Sequence, residues 1–294
     1  MPFRAAALSL LLLATQSPAS SPTWAAIVAD FEAFERREDP YTAGGEGDRG
    51  ALGRLPEITP EADARRRAAL EQFRVRLAAL DAQTLPAADA FNHAFLRWLV
   101  DDRLGALRFD PARLAFINEG GESANLSYYA RTTRIATKDD ANAWLSRLAA
   151  TPRLIRENIA NARRGLASGL TQPSSVVQGA IDIARAEAAL TLDTDPLMAP
   201  LKALPSSISV GDAAGLRARA AALVTGEIAA ARRDWLRMLE ADYLPKARPG
   251  LGIGSIAEGR PFYEYLTRNW PKPFTDEDER FLGRDMALVP EGWR

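Results

Sequence analysis

The chain has 294 residues, 47% of them hydrophobic and 26% charged, a globular composition long enough to bury a sizeable core and unlike that of a disordered chain. Its 37 basic residues against 38 acidic ones leave a net charge of −1, without the basic excess that marks a nucleic-acid or anionic-membrane partner. No cysteine and one histidine, His93, exclude a thiolate nucleophile, a disulfide, and any metal site made from two protein imidazoles.

The first twenty residues, "MPFRAAALSLLLLATQSPAS", place Arg4 before an apolar run from Ala5 to Ala14, followed by small residues ending near Ala19 and Ser20. That is the anatomy of a secretory signal peptide, and the run is too short to span a bilayer. A buried N-terminal helix is the alternative for the same run. Without cysteine there is no acceptor for a lipoprotein anchor. The expectation is export without a stable membrane anchor, to the periplasm or outside the cell.

Trp24 to Glu38 predicts an amphipathic helix with Trp24, Ile27, Val28, Phe31 and Phe34 on one side. The following stretch, "DPYTAGGEGDRGALGRLPEITP", holds five glycines and three prolines and reads as loop. Thr59 then caps a helix whose first residue is Pro60, where a missing N–H costs nothing; Leu70, Phe73, Leu77 and Leu80 form its stripe. Pro86 opens a helix with Phe91, Phe95, Trp98 and Leu99 as the expected stripe. Thr137 caps another, with Asp139 and Asp140 in the first turn, where carboxylates complement the helix dipole. Thr151-Pro152 predicts a fresh helix start, running through Leu154, Ile155 and Ile159 to a stop at Gly169. Pro173 starts the next, with Val176, Val177, Ala180, Ile181 and Ala184. The longest is expected from about Asp212 to Tyr243, with Leu216, Ala220, Leu223, Ile228, Ala231, Trp235 and Leu239 in register. No run alternates apolar and polar residues as a half-buried strand requires, and helix starts follow no fixed period. The predicted fold is all-α, an irregular multi-helix array and not a solenoid.

Chemistry-bearing candidates are few. His93, one position off the Phe91 stripe, reads as a hydrogen-bonded helix residue before it reads as a catalyst. "GLGIG", Gly250 to Gly254, lacks the preceding strand and following helix N-terminus of a nucleotide loop and reads as a connection permitting close backbone approach. Asp101, Asp102 and Arg103 put charge beside large apolar groups, either to fix helix packing or to line a cleft. "NEGGES", Asn118 to Ser123, is a turn whose Gly120 and Gly121, flanked by Asn118 and Glu122, could line a pocket or simply reverse the chain.

The order of "FNHAFLRWLVDDRLGALRF", "FINEGGESANL", "ANAWLSRLAATPRLIRENIANARRGLASGLTQP" and "YLPKAR…GIGSIAEGRPFYEYLTRN" resembles the N-terminal half of the bacterial family called domain of unknown function 885. The tract Trp144 to Pro173 carries most of the likeness, which extends from about Trp24 to Asn269. The resemblance implies an all-α, zincin-like metallopeptidase fold whose His-Glu zinc motif lies in the C-terminal half. That half would follow the aromatic segment holding Phe262, Tyr263 and Tyr265. No zinc ligand or catalytic residue carries over to a position here, so no cofactor is expected in this chain, and zinc only with the missing half. The implied organisation is a signal peptide over 1–20, a helical domain over 21–270, and a short tail over 271–294 at the start of the absent half.

Three readings follow. The chain is the cleft-forming part of an exported hydrolase and inactive alone, with its missing half as partner. Or it is a stand-alone exported helical binding protein for a peptide or small ligand, touching Asp101, Asp102, Arg103, Asn118, Gly120, Gly121 and Glu122. Or it is a hydrolase with an unrecognised carboxylate site, for which no acid–base pair can be placed.

Overall fold

The computed structural model describes residues 22–256 and 258–268; the signal-peptide segment and the tail over 271–294 lie outside them. Among the described residues the regular elements are all helical, with two isolated β-bridges, Ile117 to Gly120 and Pro173 to Arg248.

The N-terminal group comprises α1 (Pro22–Glu38), α3 (Pro60–Ala78) and α4 (Ala87–Leu107). Thr59 accepts the Ala62 N–H and Pro60 occupies the first turn, so α3 starts where its capping chemistry dictates. Trp24, Ile27, Phe31 and Phe34 of α1 meet Leu70, Phe73 and Leu77 of α3 in one core cluster. Phe31 and Phe73 stand edge-to-face at 5.2 Å, the arrangement favoured by their ring quadrupoles.

The segment between α1 and α3, expected to be loop, is only partly so. Asp39 accepts the N–H groups of Tyr41 and Thr42 and caps a six-residue helix, α2 (Pro40–Gly45). Asp48 caps a further turn over Arg49–Ala51. Both are held by Arg147, whose guanidinium donates to the carbonyls of Arg54 (3.1 Å), Pro40 (3.0 Å) and Ala51 (3.1 Å) and lies over the Tyr41 ring. Tyr41 stacks on Tyr129 at 4.2 Å. Burial pushes the Arg147 pKa below its ordinary value, and the facing carbonyls are the polar partners this interior supplies.

The spine is α6 (Lys138–Ser168), 31 residues and about 46 Å long. Thr137 and Asp140 form a reciprocal capping box at its start, and Gly169, at φ 75°, ends it in the left-handed conformation that glycine adopts without penalty. The helix does not restart at Thr151-Pro152; Pro152 lies inside it. A proline there costs about 3 kcal/mol. Leu148, Thr151, Pro152, Leu154 and Ile155 are all buried, and such burial contributes about 1.5–3 kcal/mol per large side chain, enough to keep the helix continuous. Its first half, with Trp144, Leu145, Leu148 and Leu154, packs with α5 (Glu122–Thr132) and α9 (Val210–Leu223). Its second half, with Ile155, Ile159 and Ala162, packs with α7 (Ser174–Ala188) and α10 (Ala229–Arg237).

The expected long helix is continuous from α9 to Tyr243, interrupted by two π turns, Val224–Ile228 and Met238–Tyr243. Its buried stripe is Leu216, Ala220, Val224, Ile228, Ala231, Trp235, Leu239 and Tyr243, with Val224 in the place expected for Leu223. The stripe steps by four residues nearly throughout, more than the 3.6 of an α-helix, and the wider π turns absorb the drift. A short helix, α8 (Ala199–Lys202), follows Asp195, which forms a buried ion pair with Arg232 and accepts the Leu197 N–H at 2.9 Å.

Candidate functional site

Helix α4 carries two stripes on opposite faces. Of the expected one, Leu99 is half-buried against the core, whereas Phe91, Phe95 and Trp98 lie on the outer side. Inward point Asp89, His93, Leu96, Val100 and Leu104, while Phe91 is 73% exposed and Trp98 47%. His93 fits the inward face: its Nε2–H donates to the Leu77 carbonyl at 2.9 Å, so that nitrogen is paired on burial, and its ring meets Trp24 edge-on. The single histidine is a packing residue.

The outer stripe continues as Asp102, Gly105 and Phe109, and there it is covered by α11 (Gly259–Thr267). Tyr265 donates its hydroxyl to the Asp102 backbone carbonyl, and Arg268 pairs with the Asp102 carboxylate. Phe262 and Tyr265 each lie 5.2 Å from the Phe109 ring. Arg103 points the other way, where both its terminal nitrogens bind the Glu35 carboxylate of α1 and its guanidinium lies over Phe31. Asp101 is exposed. The three neighbouring charges therefore face three surroundings: solvent, α11 and α1.

The Asn118–Glu122 turn is a two-residue hairpin, closed by Ile117 N–H to the Gly120 carbonyl (3.1 Å) and the reverse bond (3.0 Å). Gly120, at φ 102°, supplies the reversal. A β-carbon on Gly121 would come within 2.5 Å of Asn158 Nδ2, so the turn is wedged against α6. A β-carbon on Gly179 of α7 would come within 2.9 Å of the Asn118 carbonyl oxygen. Glu122 is buried at the start of α5, with Asn125 donating to it at 3.4 Å. Phe116, just before the turn, lies edge-on to Trp235 and Tyr243. The turn thus sits at the α6–α7–α10 junction, and α4's charges at the α1–α4–α11 junction.

The glycine loop before α11 is likewise organised from within. Arg248 donates to the carbonyls of Gly250 (3.0 Å), Leu251 (2.8 Å) and Gly252 (2.6 Å), and its Nε to Thr171 (2.8 Å). Carbonyls converging on a guanidinium are the opposite of a phosphate cradle, which presents N–H groups. Sequence reasoning missed Arg147, Arg248 and the Asp195–Arg232 pair. Only their residue types were visible, since the Pro40 carbonyl that Arg147 reaches, the Thr171 carbonyl that Arg248 reaches and the Asp195 partner of Arg232 lie 37 or more positions away.

Two surface depressions are notable. One, of about 20 Å³, opens beside Arg147, Asp140 and Trp144 and has room for about one water. The other, about 290 Å³, lies between α1 and α3 over Phe34 and Phe73, flanked by Arg37 and Arg76. Among the described residues no three histidine, cysteine, aspartate or glutamate side chains converge as metal ligands. Nor is any described helix long and apolar enough to cross a membrane.

These features define a class: an all-helical array built on one long spine helix, with its aromatic C-terminal helix laid across the outer face of α4. Within that class the chain belongs to the family described as "Bacterial protein of unknown function (DUF885)", whose profile matches residues 40–279. No curated protein matches the chain. A crystal structure of a candidate lipoprotein from Colwellia psychrerythraea is similar to it in fold, with a TM-score of 0.75 at 16% identity. The match covers 83% of this chain but 45% of that protein, so the chain spans less than half the length of the structure it resembles.

Proposed function

We propose that this chain is the exported, cleft-forming N-terminal portion of a metallopeptidase-like hydrolase, inactive until joined to a zinc-binding half. One observation carries the reading: a family match over most of the chain combined with a fold that corresponds to 45% of a larger helical protein. The signal-like start and the likeness to a candidate lipoprotein support export, with the periplasm as the expected compartment. In this reading Asp101, exposed on α4, and the junctions around Asp102, Arg103, Asn118, Gly120, Gly121 and Glu122 belong to the wall that the second half would face.

The test has a genetic and a biochemical arm. Translating the DNA beyond the Arg294 codon in three frames should reveal a His-Glu zinc motif nearby. The purified chain, supplied with zinc and a mixed peptide library, should release no new termini. Hydrolysis by the chain alone, or unrelated sequence downstream, would overturn the reading.

A further inference from the structure

We infer that the depression beside Arg147 is a binding site for one small monovalent anion, of the size of chloride, held by Arg147 Nη1 and Arg134. The inference stands on the charges and donors at that place and does not rest on the hydrolase reading.

Arg147 is 4% exposed, and its Nε and Nη2 donate to the carbonyls of Arg54, Pro40 and Ala51. Those carbonyls satisfy two nitrogens but carry no charge. An arginine stays protonated in a protein interior, and a buried charge without a counter-charge is costly. Of the charges nearby, Arg54 repels Arg147 more than Asp39 attracts it. Nη1 has no acceptor among the described residues, and unlike the orphaned Nε of Arg232 it is not fully enclosed. The opening beside it is the depression that Arg147 lines with Leu52, Thr133, Arg134, Asp140 and Trp144.

The other lining groups decide what the depression takes. Trp144 donates its Nε1–H to the Leu197 carbonyl at 3.0 Å, and Thr133 its hydroxyl to the Tyr129 carbonyl at 2.8 Å, so both donors are engaged elsewhere. The acid in the lining, Asp140, is already satisfied: it accepts from Arg49 and from the N–H groups of Ala136 (3.0 Å) and Thr137 (2.9 Å). With Asp140 paired to Arg49, the guanidinium groups of Arg134 and Arg147 are the uncompensated charges of the lining. A space of about 20 Å³ admits one atom-sized guest. A water would complete the hydrogen bond of Nη1 but leave the charge unanswered, and a sulfate or phosphate is too large. A single halide ion meets both requirements.

Two measurements on the full chain test the site. In crystals soaked in sodium bromide, the anomalous signal of bromide should give a peak within hydrogen-bond reach of Arg147 Nη1. In solution, replacing gluconate by chloride at fixed ionic strength should raise Tm saturably by roughly 2 °C, as a ligand that binds only the folded chain does. Arg134→Gln, at an exposed position, should fold normally and lose at least half of that rise. Should it not fold, the bromide peak and the chloride rise of the wild-type chain decide the matter. Arg147 itself is left in place, because its three carbonyl contacts would go with it. Absence of a bromide peak at Arg147 would mean that the depression takes water. A peak without a saturable Tm rise would be an adventitious ion only, and an equal rise in Arg134→Gln would put the anion elsewhere. Each of these three results overturns the inference.

Discussion

Tyr265 lies so close to Gly105 that a β-carbon on the glycine would come within 2.6 Å of its ring carbon Cε2. Together with the Tyr265 hydroxyl on the Asp102 carbonyl, this contact makes the middle of α4 the landing site of α11. Gly105→Val should push the ring out, at an overpacking cost of roughly 1–3 kcal/mol. Hydrogen exchange should accelerate selectively over residues 259–268 while α1 and α3 keep their protection. A uniform change across the chain would mean that α11 is not seated there.

Arg147 predicts a second local effect. Arg147→Ala strands three backbone carbonyls, of Pro40, Ala51 and Arg54, and uncovers Tyr41, with an expected loss of about 3 kcal/mol in denaturant unfolding. Lysine should restore less than half of it, because an ammonium cannot lie flat over Tyr41 while donating to carbonyls in three directions. Limited proteolysis should cut first within residues 39–55. Wild-type resistance of that segment in Arg147→Ala would contradict the anchoring role.

The Asp195–Arg232 pair is buried, with side chains 1% and 4% exposed. Asp195→Ala should cost roughly 3–5 kcal/mol, since it leaves a guanidinium uncompensated in the core. The double variant with Arg232→Met should recover a large part of that loss. Equal urea midpoints for the single and double variants would show that the cost is not the stranded charge.

Tyr243 gives a pH dependence. Burial raises its phenol pKa above the ordinary 10.0, partly offset by the hydrogen bond its oxygen accepts from the Gln172 N–H. Below pH 10 the phenol is protonated in both folded and unfolded chains, and its contribution is fully present. Above pH 10 the unfolded chain ionises first, so stability falls as pH rises toward the folded value. Tyr243→Phe should show a shallower loss than wild type between pH 9 and 11 in denaturant titrations. Parallel curves would mean that Tyr243 does not contribute to the alkaline loss.

Local signals read the helices well. Thr59 and Thr137 cap where their hydroxyls reach an N–H three residues on, and Gly169 stops α6 by adopting a left-handed backbone. Pro152 misleads for a related reason: its cost is local, whereas the burial that outweighs it comes from α5, α7, α9 and α10. The candidate charges show the same divide. Nothing within "WLVDDRL" says that Arg103 will meet Glu35, 68 positions earlier, or that Asp102 will meet Arg268, 166 positions later.

By itself, the sequence determined that the chain is helical, where most helices begin and end, which family it belongs to, and that its lone histidine and missing cysteines exclude whole classes of chemistry. Those properties depend on spacing and on residue type. Only the tertiary structure decided which of α4's two stripes turns inward, how the glycine-rich segment is tethered by Arg147, and where α11 lies. A 3.6-residue period marks a stripe on a helix surface, but what covers that stripe depends on side chains distant in sequence. On α4, the bond from His93 to the Leu77 carbonyl accompanies burial of one face, and the approach of Tyr265 to Gly105 covers part of the other.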